Sequence, residues 1–179
     1  MKERTDKELV KGCLRGEKRC FEELVDRYEK PVYNMAFRVA GSRDDAEDIT
    51  QSAFVKVFEN LSSFDQDRKF FSWLYRIALN EALNFKRAQK DSSGTAEYLV
   101  SEDTNVHERI EELEEQQRIE RALFRLHEDL RAVIVLHYFS ECSYNDISFI
   151  LDIPERTVKS RLYEAREKLR RILTSGRPR

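Results

Sequence analysis

The sequence predicts an all-α protein of two small helical domains joined by a flexible linker, the C-terminal one containing a helix-turn-helix. Three observations predict this. Glycine and proline are scarce, five and three in 179 residues, while Glu, Lys, Arg and Leu abound, a composition that favours helix. Helical periodicity lapses over residues 91–107, where Ser, Gly, Thr and acids gather; that marks a linker between domains at 1–90 and 108–179. Residues 143–173 read as two helices with a sharp corner between them.

Taken in order, Thr5-x-x-Glu8 has the form of a capping box and opens a short helix. Leu9, Val10, Cys13 and Leu14 would face inward, and Gly16 would stop it. A second helix carries Phe21, Leu24, Val25, Tyr28, Val32, Met35, Ala36 and Val39 at helical spacing and ends at Gly41. Pro31 is expected to kink this helix rather than abolish it. Ser42-x-x-Asp45 starts a third, with Ala46, Ile49, Ala53, Val57 and Leu61 as its inward stripe.

On this third helix Asp45, Asp48, Gln51, Ser52, Val55 and Glu59 fall toward the outside. Phe54, Val55 and Phe58 cannot all point inward. An acidic face edged with exposed apolar groups suits docking to another protein. The plainer alternative is a solvated helix whose first-turn acids answer the dipole.

Residues 64–90 interleave Phe64, Phe70, Phe71, Trp73, Tyr75 and Phe85 with Arg68, Lys69, Arg76, Lys86 and Arg87. Residues 67–90 hold six cations against two acids, a net of +4. Aromatic faces stack unpaired bases and cations hold the phosphates, the requirement for binding single-stranded nucleic acid. About half of these aromatics are expected to be core, alongside Leu74, Ile77 and Ala78. Beyond the linker a helix starts at Glu108, and a break around His127 to Asp129 leads into a buried helix, RAVIVLHYF. Residues 97–130 carry eleven acids against four Arg, a net of −7.

Ser143-x-x-Asp146 opens the next helix, with Ile147, Ile150 and Leu151 on its apolar face. Asp152-Ile153-Pro154 breaks it, since a residue before proline is pushed out of the helical region. The last helix repeats Val158, Leu162, Ala165, Leu169 and Ile172 at intervals of four, three, four and three. Residues 155–179 hold nine Lys/Arg against three Glu, a net of +6. A basic second helix with small polar residues near its start fits a major groove, where its first residues reach base edges. A helical hairpin with a solvated basic face is the competing reading.

Several function classes are disfavoured. There is no Gly-rich phosphate loop, no HExxH, no paired cysteine set and no nucleophile elbow. No enzyme activity, catalytic residue, cofactor or metal site is expected. The apolar runs are too short to insert into a membrane, and MKERTDKELV lacks an apolar signal core, so a cytoplasmic location is expected. Cys13 and Cys20 read as small buried hydrophobes and Cys142 as another, a redox thiol being the alternative.

These stretches together resemble a bacterial sigma factor of the extracytoplasmic-function group, over nearly the whole chain and in the family's order. DAEDITQSAFVKVF is similar to the family's polymerase-binding helix, FFSWLYRIALNEALNFKR to its melting and minus-ten segment, and SYNDISFILDIPERTVKSRLYEAREKL to its minus-thirty-five helix-turn-helix. The resemblance implies a specificity subunit that directs promoter-specific initiation while core RNA polymerase performs the chemistry. It implies that Asp45, Asp48, Gln51, Ser52, Phe54 and Phe58 meet the clamp helices of the polymerase beta-prime subunit. Phe64, Arg68, Lys69, Trp73, Tyr75, Arg76, Asn80, Lys86 and Arg87 would capture the minus-ten strand of promoter DNA. Arg156, Thr157, Lys159, Ser160 and Arg161 would read the minus-thirty-five duplex. An anti-sigma factor is implied as a further partner. Ser52 stands where members commonly have Glu, and Glu164 where a basic residue is common. The first removes a charged contact to polymerase, and the second alters the promoter contact.

Two rivals explain less. A stand-alone helix-turn-helix regulator leaves the aromatic segment and acidic helix without roles. An anti-sigma-like adaptor leaves the basic recognition helix without one.

Overall fold

The computed structural model describes residues 4–92 and 109–175, with side chains described outside 89–92 and 109–114. Among the described residues every regular element is helical. Four helices make the N-terminal half: α1 (Asp6–Leu14), α2 (Lys18–Ala40), α3 (Arg43–Asn60) and α4 (Phe70–Ser92), with a 3₁₀ turn at Leu61–Ser63. Four more make the C-terminal half: α5 (Arg109–Phe124), α6 (Glu128–Ile134), α7 (Tyr144–Leu151) and α8 (Glu155–Ser175). A π turn at Val135–Phe139 continues α6.

Helix boundaries follow local chemistry. Thr5 and Glu8 close a reciprocal capping box at the start of α1. Ser42 Oγ accepts from the Asp45 N–H at the start of α3, and Ser143 with Asp146 closes a second box at α7. Each cap satisfies amides that the helix leaves unpaired and contributes about 1 kcal/mol. Gly41 ends α2 at φ 91°, left-handed backbone that glycine adopts without a Cβ clash. Asp152 ends α7 the same way at φ 55°. Helix α2 runs through Pro31, which is exposed.

Some expectations need correction. Leu14, the last residue of α1, is 44% exposed, where the chain turns at Gly16. The segment after α6 is buried only through Leu136; Tyr138 and Phe139 are exposed, because the π turn shifts the helical register. Helix α5 begins at Arg109, and α4 extends to Ser92, so the linker expected at 91–107 lies almost wholly outside the described residues.

The core of the N-terminal half is the meeting of α2, α3 and α4 around Leu24, Met35, Val57, Leu74 and Leu79. Helix α1 packs closely on α2: a Cβ at Gly12 would stand 2.3 Å from Cys20 Sγ. In the C-terminal half α6, α7 and α8 enclose Leu136, Ile147, Ile150, Val158 and Leu162. The two halves touch. Helix α4 lies against α7, and α2 against α6 and its π turn. Arg131 of α6, 3% exposed, donates to Val39 O of α2 at 2.9 Å and to Leu126 O at 3.3 Å.

Candidate nucleic-acid and polymerase interfaces

The first site is the N-terminal part of α8. Its stripe of Val158, Leu162 and Ala165 is fully buried, which fixes the opposite face outward. Arg156, Lys159 and Ser160 are exposed there, and Thr157 is half-buried. Arg161 is tied back to α6, its guanidinium donating to Asp129 at 3.2 Å. The Lys159 ammonium stands 5.7 Å above the Tyr144 ring, and Asn145 donates to Glu155 at 3.3 Å, so α7 and α8 hold their corner through polar contacts as well. Glu164 pairs with Lys168 at 2.8 Å on the exposed side.

The second site runs from the 3₁₀ turn into α4. Phe64, Phe70 and Tyr75 are buried. Trp73 is half-buried, its ring 5.0 Å from Phe64 and 6.1 Å from Phe70. The aromatic cluster thus forms a packed wall with Trp73 at its margin, and Phe64 and Tyr75 present no free face. A recess of about 350 Å³ lies between this wall and α1, lined by Thr5, Asp6, Lys7 and Val10 on one side and by Phe64, Gln66 and Arg68 to Phe71 on the other. Asn80 and Arg87 are exposed and Lys86 half-buried, farther along α4 and outside the recess.

Several cations of this segment are engaged by the C-terminal half. Lys69 Nζ contacts Asp146 Oδ1 at 3.0 Å, and Ser72 Oγ donates to the same carboxylate at 3.2 Å. Arg76 donates to Phe149 O and pairs with Asp152, each at 3.3 Å. Arg68 and Arg76 both lie over the Phe149 ring, at 5.1 and 5.3 Å. Burial pushes the Asp146 carboxyl up, but hydrogen bonds from Ser143 and Lys69 outweigh it and hold the group below its ordinary range.

The third site is a groove of about 930 Å³ between α2 and α3. Phe21, Val25 and Tyr33 line it from α2, and Gln51, Phe54, Val55 and Phe58 from α3. Phe58 is 65% and Val55 52% exposed, while Phe54 is buried in the floor. Phe58 keeps its ring edge-on to Phe21 at 5.1 Å. Asp48, Gln51 and Ser52 are exposed, and Glu29, Glu47 and Glu59 add acid to the rim. Asp45 is half-buried, and burial raises its carboxyl pKa against the opposing pull of Lys86.

The sequence did not disclose the wall contributed by α1 or the use of Asp146, Phe149 and Asp152. Ser143-x-x-Asp146 was legible as a cap; a second bond to a lysine 77 positions earlier leaves no local pattern. Among the described residues no group of three metal-capable side chains occurs, and no helix is long and apolar enough to cross a membrane.

Comparison with known proteins gives a consistent result. The family model for Sigma-70 region 2 matches residues 24–92, and that for Sigma-70 region 4 matches residues 116–169. The chain is 35% identical to the ECF RNA polymerase sigma factor SigW of Bacillus subtilis (strain 168), over 93% of this chain and 96% of that one. Its fold superposes on CnrH in complex with the cytosolic domain of CnrY, with a TM-score of 0.76 at 27% identity, covering 96% of this chain and 99% of that one. The sigma factor RpoE in complex with the anti-sigma factor NepR from Bartonella quintana gives a TM-score of 0.73 at 25% identity, covering 88% and 98%.

Proposed function

The chain belongs to the extracytoplasmic-function sigma factors, and from that premise we propose how its three surfaces divide the work of promoter-specific initiation. The observation that carries the reading is the exposed basic start of α8, opposite a buried apolar stripe, on a chain that also presents an apolar groove rimmed with acid. Arg156, Thr157, Lys159 and Ser160 read the minus-thirty-five duplex in the major groove. Arg161, held by Asp129, sets the angle of α8.

The recess beside Phe64, Arg68 and Lys69 receives an unpaired base of the minus-ten strand. Capture costs a few kcal/mol of unstacking, offset by aromatic stacking and by cation contacts to the backbone; Trp73, half-buried at the margin of the wall, does not itself line the recess. Tyr75 and Phe64 hold the wall in place. Arg76, Asn80, Lys86 and Arg87 continue the track along α4. The α2–α3 groove seats the clamp helices of polymerase, Phe58 and Val55 supplying the apolar anchor and Gln51 part of the polar rim, while Asp48 and Ser52 are exposed on α3 beyond the groove's lining. RNA synthesis itself is polymerase chemistry, so the chain needs no catalytic group.

Two structures of similar fold are complexes, one with the cytosolic domain of CnrY and one with an anti-sigma factor. They support an inhibitory protein partner here also, in the cytoplasm where polymerase works.

The test is gel filtration with core RNA polymerase, followed by transcription from a promoter library. Co-elution and promoter-selective transcripts are expected. A folded, inhibitor-free chain that leaves active core polymerase unbound would overturn the assignment and leave the helix-turn-helix as an ordinary regulator's.

A further inference from the structure

We infer that α1 is the second wall of the minus-ten site and that Lys7 on it is a DNA contact: its ammonium holds the phosphate beside the base lodged in the recess. This rests on the sigma-factor reading above and gives a role to a helix and a residue which that reading leaves unused.

The first argument is the shape of the recess. Its floor is apolar and buried, with Val10 lining it from α1 and Phe64 and Phe70 from the aromatic wall. Its rim is polar and exposed, with Thr5 and Lys7 on the α1 side and Arg68 and Lys69 on the other. The volume, about 350 Å³, lies at the small end of ligand sites and suits one base rather than a stacked run. A base that fills the floor leaves its sugar and phosphate at the rim, beside α1 as much as beside the loop.

The second argument is which charges are free. Lys7, Arg68 and Lys69 are the cations of the lining and Asp6 its carboxylate. Asp6 accepts from Arg27 at 2.6 Å and from the Tyr28 hydroxyl at 2.5 Å. Arg68 pairs with Asp65 at 3.7 Å and lies over the Phe149 ring. Lys69 pairs with Asp146 at 3.0 Å and stands 5.8 Å from the Phe71 ring centre. Lys7 has no ion pair among the described residues. A phosphate at the rim therefore meets Lys7 without displacing a carboxylate, and the one acid beside it is already answered.

The third argument is placement. A contact residue works best from a backbone that is already fixed, and α1 is pinned at its first turn. Leu9 and Val10 are fully buried, Asp6 is bonded to α2 twice, and Arg27 also donates to Arg4 O at 2.8 Å. Tyr28, which donates to Asp6, has its ring 5.7 Å from Phe70. The two walls of the recess therefore share one brace. The capping box uses the Thr5 and Glu8 amides, so the charge at this rim is the Lys7 side chain and not the helix end.

The test uses holoenzyme assembled from core polymerase and the full chain, on a forked promoter recovered from the library whose minus-ten strand is unpaired and fluorescein-labelled. Lys7→Ala should weaken binding about two- to fivefold and lower the magnitude of the salt slope by about 0.7, with the unfolding midpoint of the free chain unchanged. Lys7→Arg should restore both. Lys18 is exposed and outside the recess, so Lys18→Ala should leave both at parent values. A neutral methylphosphonate placed at each phosphate of the strand in turn locates the contact. At one position it should cost the parent what Lys7→Ala costs, and cost that variant nothing further. Parent-like affinity and slope in Lys7→Ala overturn the contact, as does strict additivity at every phosphate. The parent judges the underlying reading separately: a parent holoenzyme with no preference for the minus-ten strand removes base capture, and core polymerase that leaves the parent unbound removes the sigma-factor role. The Lys7 contact falls with either.

Discussion

Arg161 donates to Asp129 across 3.2 Å, joining the recognition helix to α6, whereas Arg156, five residues earlier, is exposed at the start of the same helix. The two arginines should therefore respond differently to truncation. Arg161→Ala is expected to lower stability by about 1 kcal/mol or less, since the pair is partly exposed, and to leave base preference unchanged. Arg156→Ala is expected to leave stability unchanged and lose about 1–3 kcal/mol of discrimination at one base pair. Thermal melts and binding to single-substitution promoter duplexes separate the two. Equal loss of specificity in both variants would refute the brace.

Phe58 is the most exposed groove phenylalanine, held edge-on by Phe21. Phe58→Ala should weaken core polymerase binding by about tenfold or more and leave the unfolding midpoint nearly unchanged. Phe54, in the floor, is a poor probe, because Phe54→Ala should unfold the helix pair by about 3–5 kcal/mol. Titration of labelled protein with core polymerase measures the first effect. Unaltered affinity in the Phe58 variant would move the docking face elsewhere.

The Asp146 carboxyl carries a pH dependence whose sign is fixed. Its folded pKa lies below the ordinary value, so ionisation stabilises the fold. That contribution is complete above the unfolded value of about 3.9 and disappears as pH falls through the folded one. Wild type should exceed Asp146→Asn by about 1 kcal/mol at pH 7, and the two should converge on acidification. Denaturant melts from pH 7 down to pH 3 report this; identical midpoints at pH 7 would contradict it.

Cys142 is buried, and burial first, then the Asp146 charge, push its thiol up to about 12. Cys13 is raised to about 11, mainly by burial with Cys20 adding to it. Thiolate is the reactive form, so native protein at pH 8 should alkylate slowly at all three cysteines and rapidly in guanidinium. Fast, stoichiometric labelling of Cys142 in the native chain would restore it as a redox candidate.

Gly12 leaves room for Cys20, whose Sγ a Cβ would approach to 2.3 Å. Gly12→Ala should therefore destabilise by about 1–3 kcal/mol by forcing α1 off α2, despite alanine's higher helix propensity. A melt shows the sign; a stabilised variant would mean α1 adjusts freely.

What the sequence disclosed was local. Thr5/Glu8, Ser42/Asp45 and Ser143/Asp146 are caps written within four residues, and each closes as expected. The stripe Val158, Leu162, Ala165 was legible because periodicity alone decides which side of α8 is buried. The exposure of Val55 and Phe58 beside a buried Phe54 followed from three apolar groups competing for one inward face. Other features depend on pairs far apart in the chain. Lys69 with Asp146 and Arg131 with Val39 leave no periodic trace. Whether Tyr75 stacks on a base or fills the core depends on which helix lies above it. The π turn at Val135 has no marker comparable to a proline or glycine, so the outward swing of Tyr138 and Phe139 was unreadable.

The pairing of Lys69 and Arg76 with the carboxylates of Asp146 and Asp152 also bears on search. Each cation offered to a phosphate releases counterions and adds to sequence-independent affinity for DNA. Cations already paired with carboxylates add less to that affinity than free ones would, so the vast excess of irrelevant duplex in a genome holds the chain less tightly.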